Sequence, residues 1–260
     1  MQESLLQRSR SINKILQKIR GNPVDFHGIA DVIAKTMNCT VFIIGRRGQI
    51  SGYSFHENAQ CTELESLLSH AERFPEGFNQ ELLYMDETKS NIVLDDGRRC
   101  IFNPDNVNCD CSKRIWSITP VFGGARRIGT LVLVRDKERF TEEDIVLAEY
   151  GAIVVANEIM RMRSDRIERE ARKKAAVEIA VATLSYSERE AIERIMAELN
   201  GKEGFLVASR IADNYGITRS VIVSALRKFE SARVIESRSL GMKGTYIKVL
   251  NDYIFEELNK

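Results

Sequence analysis

The sequence predicts an α+β protein, with an antiparallel sheet and helices in its amino-terminal part, one long helix, and a small carboxy-terminal domain. Three observations support this fold class. Up to about residue 135, stretches with helical spacing of apolar residues alternate with short apolar runs that are separated by glycine-containing turns. Helical composition then continues from about residue 142 to residue 183. Beyond residue 185, short helical patterns precede a glycine-rich hairpin.

The chain has 260 residues, a length typical of two domains, and its 43% hydrophobic and 29% charged residues are those of an ordinary globular protein. Its net charge of +1 means that any surface for nucleic acid must arise from a local excess of basic residues. The sequence has no apolar run of about 20 residues and no signal peptide, so we expect a cytoplasmic protein that does not enter a membrane.

The five cysteines have irregular spacing and no C-x-x-C motif, which is typical of a reducing compartment rather than of a disulfide framework. Cys100, Cys109 and Cys111 are close in sequence, but zinc ligands favour pairs that are separated by roughly two to four residues. We therefore expect no metal site and interpret these cysteines as buried or loop thiols.

The amino-terminal part begins with two predicted helices, at residues 4–20 and 26–37. The apolar run T-V-F-I-I, the turn from Gly45 to Gly48 and the stretch I-S-G-Y-S predict a β-hairpin. Helical spacing resumes near Leu64.

Residues 85–112 are irregular and rich in Asp and Asn, which is typical of a long binding loop. Two predicted strands follow, I-W-S-I-T-P-V-F and R-I-G-T-L-V-L-V-R, and they are joined around Gly123-Gly124.

The long helix begins after Thr141, a predicted N-cap that precedes three acidic residues, where the helix dipole favours negative charge. Its first half is apolar, and its middle, R-M-R-S-D-R-I-E-R-E-A-R-K-K, is charged. This shift is typical of a helix that leaves a domain and becomes a linker. Because acidic and basic residues alternate in the charged stretch, it predicts a solvated face or the seam of a dimeric coiled coil.

The carboxy-terminal domain is predicted to begin with a capping box of Ser187 and Glu190. The stretch A-S-R-I-A-D-N-Y-G-I-T-R-S-V-I then has the spacing of a helix-turn-helix motif. Ala212 is small where two helices would cross, Gly216 tolerates positive φ in the turn, and Ile222 would face back to the first helix. Further inward positions, and a residue placed to cap the second helix, are Ile211, Ile217 and Ala225, and Thr218.

The second helix of such a motif enters the major groove of duplex DNA with its first residues at the base edges. Arg219 suits a bidentate contact with guanine, and Ser220 suits a base or a phosphate. Residues 205–250 contain eight basic and three acidic residues, a net charge of +5, and include a hairpin whose basic, glycine-rich tip is typical of a wing. Arg227 and Lys228 fit a solvated face equally well. The predicted DNA-binding residues are Ser209, Arg210, Thr218, Arg219, Ser220, Ser224, Arg227, Lys228 and Lys243.

Many stretches of the chain are similar to those of one known family. They include S-Y-S-E-R-E-A-I-E and the helix-turn-helix near the carboxyl end, and R-R-G-Q-I-S-G-Y-S, R-F-P-E and G-T-L-V-L-V-R-D upstream. Over nearly its whole length, the chain resembles the CodY family of global, nutrient-responsive transcriptional regulators of bacteria. The resemblance implies a GAF-like effector-binding domain at residues 1–155, a linker helix at 156–184 and a winged helix-turn-helix domain at 185–260.

The resemblance also implies the effectors: branched-chain amino acids, chiefly isoleucine and also valine or leucine, and GTP, with no other cofactor. It implies a homodimer, or a tetramer, that acts mainly as a repressor on double-stranded DNA operators when these effectors are plentiful. The implied isoleucine-binding residues are Phe42, Leu67, Leu68, Phe74, Pro75, Arg99, Cys100, Phe102, Asn103 and Pro104.

One position departs from the family pattern. Family members carry an Arg, on the helix before R-F-P-E, that pairs with the carboxylate of the ligand, whereas that helix here reads C-T-E-L-E-S-L-L. Arg73, Arg98, Arg99 or backbone N–H groups are the alternatives for this contact. An apolar slot suits an aliphatic ligand, although Phe42 and Phe74 also fit an ordinary core.

The expected GTP site has no G-x-x-x-x-G-K-[ST] motif, and G-G-A-R-R-I-G-T fits a hairpin turn better than a phosphate cradle. By resemblance and by charge, the implied GTP-binding residues are Arg46 and Arg47 at the tip of the first hairpin, with Glu158 and Arg163 on the linker helix. Solvated tip residues are the alternative interpretation of the two adjacent arginines.

We expect no enzymatic activity, because the sequence shows no Ser/His/Asp set and no kinase motif, and its three histidines are scattered. The alternative function is a dimeric ligand-sensing signalling or interaction protein whose helix-turn-helix binds protein. Arg219 and the basic segment around it favour DNA.

Overall fold

The computed structural model divides the chain into two compact units, Met1–Arg163 and Ser164–Lys260. The residues that the structure describes are 3–18, 24–56, 73–93, 114–199, 201–241 and 244–259. Within them, no helix combines the length and the apolar composition that a membrane span requires.

The first unit contains a five-stranded antiparallel sheet with the strand order β2-β1-β5-β4-β3. The predicted pair of helices and the two predicted hairpins are confirmed. The elements of this unit are α1 (Leu5–Lys18), α2 (Phe26–Met37), β1 (Thr40–Gly45), β2 (Ile50–Ser54), α3 (Glu76–Leu83), β3 (Lys89–Val93), β4 (Ile115–Gly123), β5 (Arg126–Arg135) and the first part of α4 (Glu142–Ala182).

The strand β1 is buried on both faces, because its apolar residues point alternately into two different cores. Val41 and Ile43 pack with α1, α2 and the first part of α4. Phe42 and Ile44 pack on the opposite face with α3 and several aromatic side chains. The sheet therefore separates a helical layer from an aromatic layer, and the aromatic layer carries the predicted effector residue Phe42.

The start of α4 is fixed by a capping box and by two arginines. The Asp144 amide donates to Thr141 Oγ1 at 3.2 Å, and the Thr141 amide donates to the Asp144 carboxylate at 3.0 Å, which confirms Thr141 as the N-cap. The same buried carboxylate pairs with Arg8 of α1 at 2.5 Å and with Arg135 of β5 at 2.8 Å. Burial raises the pKa of Asp144, but the hydrogen bonds from Arg135 and Arg8 outweigh burial and lower this pKa to about 2.

Cys39 lies in the helical layer, and burial raises the pKa of its thiol to about 12. It is therefore a protonated core residue rather than a reactive thiol. Among the described residues, no group of His, Cys, Asp and Glu could hold a metal ion. The cysteines that lie outside the described residues are Cys61, Cys100, Cys109 and Cys111.

Two elements of the first unit differ from the sequence-based expectation. The irregular loop predicted at residues 85–112 is wrong for its first part, because β3 forms an edge strand that pairs antiparallel with β4. Its polar sequence concealed it, since this edge strand is only partly buried and Ser90 is hydrogen-bonded to the Ser117 hydroxyl at 2.9 Å. Helix α3 was not predicted. The helical spacing near Leu64 and residues 94–112 lie outside the described residues.

The second unit is a winged helix-turn-helix, with a three-stranded antiparallel sheet in the order β6-β8-β7. The predicted hairpin is β7–β8, whereas the third strand β6 and the last helix α8 were not predicted. The elements of this unit are the end of α4, α5 (Tyr186–Leu199), β6 (Glu203–Leu206), α6 (Ala208–Tyr215), α7 (Arg219–Ser231), β7 (Ile235–Ser239), β8 (Thr245–Val249) and α8 (Tyr253–Leu258).

The core of the second unit begins inside α4, since Val177 and Ala180 are buried together with residues of α5 and α7. Phe229 of α7 is fully buried at its centre. The recognition helix α7 is thus packed against the last turns of α4 and against α5 through one continuous core.

Candidate DNA-recognition surface and effector pocket

The predicted helix-turn-helix is present as α6, a three-residue turn and α7. Gly216 has φ 67° in the left-handed region, and its amide donates to the Ala212 carbonyl. The Ile217 amide donates to the same carbonyl at 3.1 Å, so the turn closes the end of α6. Ala212 packs at the edge of the core and Ile222 is buried within it. The spacing that predicted the motif is confirmed.

The further inward positions Ile211, Ile217 and Ala225 are buried as predicted. Thr218 occupies the N-cap position of α7, but the prediction that its side chain caps the helix is wrong. Its hydroxyl instead lies 3.0 Å from the Ser220 hydroxyl and accepts no capping hydrogen bond from the described backbone. The two hydroxyls pair because they are close neighbours at the start of the helix.

The first turns of α7 present a polar and basic face. Arg219, Ser220 and Arg227 are exposed, and Val223 is 43% exposed. Because residues three and four apart share one face of a helix, Ser220, Val223 and Arg227 form a stripe. Such a stripe at the amino-terminal end of a recognition helix has the composition of a surface that reads a major groove.

Arg210 is exposed and Ser209 is half-buried in the first turn of α6. The amino-terminal turn of a helix carries unpaired N–H groups and a partial positive charge, which favour a phosphate. In a helix-turn-helix this end of the first helix crosses the DNA backbone, and a phosphate contact by these two residues stays a prediction.

Two further predicted DNA-binding residues have a partner on another helix. Ser224 Oγ donates to Glu188 Oε1 at 2.7 Å, and Lys228 Nζ donates to Glu188 Oε2 at 2.7 Å. Lys228 Nζ also donates to the Thr183 carbonyl at 2.9 Å. The hydrogen bonds from Lys228, from the Ser185 amide and from Ser224 lower the pKa of Glu188 to about 2. DNA contacts by Ser224 and Lys228 remain predictions.

The capping box predicted at Ser187 and Glu190 is wrong by two residues. The Ser185 amide donates to the Glu188 carboxylate at 2.7 Å, and the Glu188 amide lies 3.4 Å from Ser185 Oγ. The sequence S-Y-S-E-R-E contains S-x-x-E twice, and the first copy is used because α5 begins at Tyr186. This overlap is the signal by which Glu188, which the sequence analysis missed, could have been found.

A groove of about 790 Å³ lies between the end of α4 and α7. Ile179 of α4 and Val223 of α7 contribute exposed apolar side chains to it. Arg219, Arg227 and Lys228 line its basic side. The groove therefore extends the basic face of α7 towards the end of the long helix.

The wing is the turn between β7 and β8. Gly241 and Gly244 have φ angles of 63° and 99° there, which favour glycine. A Cβ atom at Gly244 would lie 2.5 Å from the Leu206 carbonyl oxygen, so the turn approaches β6 too closely for a side chain. Lys243, the predicted DNA contact of the wing, lies outside the described residues.

The effector candidates Phe42 and Phe74 face each other in the aromatic layer, with ring centroids 5.6 Å apart. Phe55 lies 5.9 Å from Phe42, and Phe78 lies 5.8 Å from Phe74. Trp116 is 5.9 Å from Phe78. These rings form an apolar wall of the kind that holds aliphatic ligands. Phe55, Phe78 and Trp116 were not predicted from the sequence, although alternation along β4 places Trp116 on one face with Ile118.

Pro75 is half-buried at the start of α3, and Arg73, one alternative partner for a carboxylate, is exposed. Arg127, which was not predicted, donates to the Met85 carbonyl at 2.6 Å and to the Leu82 carbonyl at 3.2 Å, and so holds the end of α3. The other predicted isoleucine-binding or carboxylate-binding residues lie outside the described residues: Leu67, Leu68, Arg98, Arg99, Cys100, Phe102, Asn103 and Pro104.

The GTP candidates differ in their surroundings. Arg46 and Arg47 are exposed at the tip of the β1–β2 hairpin, and Arg163 is exposed on α4. Glu158 is instead 4% exposed and pairs with Arg161 at 2.9 Å, an ion pair that the sequence analysis missed. A buried carboxylate that already has a cation is less available to a ligand than the arginines are.

The Arg46 tip and the α4 segment near Met160 lie at the same end of the sheet. The Arg46 amide donates to the Ile128 carbonyl at 3.2 Å. A Cβ atom at Gly123 would lie 2.8 Å from the Ile128 side chain and 2.9 Å from Met160 Sδ. Both candidate segments therefore border the β4–β5 turn.

Comparison with known proteins identifies the family of both parts. A model of the CodY GAF-like domain matches residues 4–183, and a model of the CodY helix-turn-helix domain matches residues 202–260. The chain belongs to the CodY family.

Curated members of the CodY family are similar over nearly the full length of the chain. The global transcriptional regulator CodY of Clostridium botulinum strain Hall is 52% identical over 258 residues, which are 99% of this chain and 98% of that protein. The one of Clostridium kluyveri strain NBRC 12016 is 50% identical over 257 residues, with the same coverage of 99% and 98%.

Among solved structures, the cofactor-binding GAF domain of the nutrient sensor CodY from Clostridium difficile is 27% identical, with a TM-score of 0.41. It covers 61% of this chain, and the match takes in 99% of that domain.

The two CodY family matches leave residues 184–201 between them, and the Glu188 side chain that holds Ser224 and Lys228 lies in this interval.

Proposed function

We propose that the chain is a cytoplasmic DNA-binding regulator, mainly a repressor, whose affinity for its operators is raised by isoleucine or another branched-chain amino acid and by GTP. The observation that carries the proposal is the exposed stripe of Ser220, Val223 and Arg227, with the exposed Arg219 beside it, on the second helix of the helix-turn-helix. Membership of a family of transcriptional regulators supports it.

The isoleucine proposal is supported by the aromatic layer of the first unit. Phe42 and Phe74 lie in a buried apolar cluster next to α3, and an aliphatic side chain gains free energy by leaving water for such an environment. The α-amino and carboxylate groups of the ligand need polar partners, which we assign to the predicted loop at residues 98–104.

The GTP proposal is supported by three exposed cations, Arg46, Arg47 and Arg163. A triphosphate is bound best by several arginines, because each guanidinium donates two parallel hydrogen bonds to phosphate oxygens. We assign Glu158 to the ion pair with Arg161 in the free protein, and a contact with the nucleotide would require that pair to open.

The homodimer proposal is supported by α4. Val146, Ile153 and Met160 are 54%, 58% and 45% exposed and follow one another at seven-residue intervals, the period of a helix–helix seam. A second copy of the chain that packs on this stripe would bury it. In such a dimer, we infer that an effector changes, through α4, the spacing of two DNA-reading domains.

The test starts from a duplex that the full-length chain selects from a random-sequence pool. Titration of this duplex with and without isoleucine should show higher affinity with isoleucine, and titration calorimetry should show heat when isoleucine binds the chain. A random-sequence duplex is the control, and its affinity should change little. Failure to select any duplex would favour the alternative, a ligand-sensing protein whose helix-turn-helix binds protein. If the chain selects a duplex but isoleucine gives no heat and does not change the affinity for that duplex, only the effector proposal fails.

A further inference from the structure

We propose that Glu188 is a positioning residue: together with Ser224 and Lys228 it fixes the recognition helix to the junction of α4 and α5. In this assignment Lys228 serves the junction and not a DNA phosphate. The proposal takes the proposed DNA-binding function as its setting, and one part of its test is independent of DNA.

The Glu188 carboxylate lies where three segments meet. It accepts hydrogen bonds from the Ser185 amide, from Ser224 Oγ and from Lys228 Nζ, all at 2.7 Å. The first donor belongs to the start of α5, and the other two lie one turn apart on α7. Glu188 is 7% exposed, so these bonds face little competition from water.

Lys228 adds a second attachment at the end of the long helix. Its ammonium donates to the Thr183 carbonyl at 2.9 Å as well as to Glu188. Carbonyls at the end of a helix lack intrahelical partners and carry partial negative charge, which a lysine stabilises. Lys228 therefore commits two of its three N–H donors to the junction.

The charges of the cluster argue against Lys228 as a main DNA contact. Its ammonium is neutralised by Glu188 at 2.7 Å, and a neutralised pair releases few counterions from DNA. Arg219 and Arg227 supply the exposed charge of the same helix. Ser224 likewise directs its hydroxyl to Glu188 and away from the stripe formed by Ser220, Val223 and Arg227.

The first part of the test uses the full-length chain without DNA. An amine-acylating reagent followed by peptide mass spectrometry compares Lys228 with Lys248, an exposed lysine of the wing sheet. Lys228 should react several-fold more slowly, because its ammonium is held by two acceptors. Glu188→Gln should raise the rate at Lys228 and leave Lys248 unchanged. Equal rates at the two lysines in the unmodified chain would overturn the proposal, and this comparison stands even if the variant does not fold.

The second part measures binding to a duplex selected by the full-length chain, over a range of salt concentrations. Lys228→Met should lower the affinity about tenfold and leave the salt slope unchanged, and in the Glu188→Gln background it should add no further loss. Arg227→Met is the control. It should make the fall of log affinity with log salt concentration less steep by about 0.9, as loss of one phosphate contact does.

Two results together would overturn the positioning role: a salt dependence of the affinity that is less steep by about 0.9 in Lys228→Met, and losses of affinity that add for Lys228→Met and Glu188→Gln. If the chain selected no duplex, the proposed DNA-binding function would fail, and the acylation result would still decide whether Glu188 holds Lys228.

Discussion

Arg219 is the first residue of α7, and its exposed guanidinium stands where a recognition helix meets the base edges. We predict that Arg219→Ala weakens binding to the selected duplex by about 1–3 kcal/mol, the value of one bidentate contact with guanine. Fluorescence anisotropy titrations at one fixed salt concentration measure this loss.

Two controls distinguish a base contact at Arg219 from a phosphate contact. Arg219→Lys keeps the charge but not the two-pronged donor, so most of the loss on the selected duplex should persist. Binding to a random-sequence duplex should change little in either variant. An equal loss on both duplexes would show that Arg219 binds a phosphate.

The cluster around Glu188 shows what residue patterns leave open. The sequence marks two overlapping S-x-x-E motifs, and each is an acceptable capping box by itself. The copy that is used, Ser185 and Glu188, is also the one whose carboxylate accepts from Lys228, 40 positions away in the chain. Helical spacing places Ser224 and Lys228 one turn apart on the same face of α7, but it contains no information about a partner on another helix.

At the scale of elements, the turn between α6 and α7 depends on the backbone of Gly216. Its φ of 67° is unfavourable for residues with a Cβ atom, while no atom lies within 4 Å of where that Cβ would be. Gly216→Ala should therefore lower the free energy of unfolding of the second unit by about 1 kcal/mol through the backbone alone. Urea denaturation followed by circular dichroism measures the change.

Gly216→Asn is the matched control for this turn, because asparagine adopts the left-handed region more easily than alanine. Gly216→Asn should lower the free energy of unfolding of the second unit by clearly less than Gly216→Ala does. A larger cost for asparagine would mean that side-chain volume, and not φ, limits the position.

At the start of α4, the stability of the first unit should depend on pH through Asp144. The unfolded chain takes up a proton at Asp144 near the ordinary pKa of 3.8, whereas the folded carboxylate stays ionised down to about 2. The stabilisation is therefore complete above about pH 4 and is lost as the pH falls towards 2. Asp144→Asn should cost about 3 kcal/mol at neutral pH, because it leaves Arg8 and Arg135 buried without their carboxylate.

The measurement for Asp144 is urea denaturation of the first unit at about pH 6 and about pH 3. The difference between the unmodified chain and Asp144→Asn should shrink at the lower pH. Glu142→Gln, an exposed position in the same turn, is the control and should change the free energy of unfolding by less than about 0.5 kcal/mol. A difference that stays constant with pH would contradict the lowered pKa.

The sequence predicted correctly those helices and strands whose own pattern of apolar residues is long and regular enough to identify them. α4 and α7 have sustained helical spacing, and β1 and β5 have long apolar runs. β3, β6 and α8 have four to six residues each, and polar positions interrupt their patterns. The equally short β2, β7 and β8 were predicted because a glycine-containing turn joins each to its partner strand. The missed elements have no such signal and form because a neighbouring strand or core is already present, a contact that is not encoded within their own few residues.

At the scale of the whole molecule, α4 contributes to both cores. Leu147, Val154 and Ile159 are buried in the helical layer of the first unit, and Val177 and Ala180 are buried in the second. The sequence predicted this helix from its composition and its change from apolar to charged residues. The aromatic layer was less predictable, because Phe42, Phe74 and Trp116 are far apart in sequence, and strand pairing such as that of Phe42 with Tyr53 and Val132 builds the sheet that carries this layer.

If the effector and operator sites are coupled through one chain, their coupling must be reciprocal. Suppose that saturating isoleucine raises the affinity for the selected duplex by some factor. Thermodynamic linkage then requires that saturating duplex raise the affinity for isoleucine by the same factor, which corresponds to about 1–3 kcal/mol in typical allosteric proteins. Isothermal titration of isoleucine into the full-length chain, with and without the duplex, measures the second factor.

The random-sequence duplex, and the selected duplex with Arg219→Ala, separate linkage from a general effect of DNA. At DNA concentrations that leave α7 unoccupied, neither combination should change the affinity of the chain for isoleucine by much. Unequal factors would mean that isoleucine acts on another equilibrium, such as association of two chains through the exposed α4 stripe of Val146, Ile153 and Met160. In that case the apparent affinity for isoleucine would depend on protein concentration, whereas coupling within a preformed dimer would not.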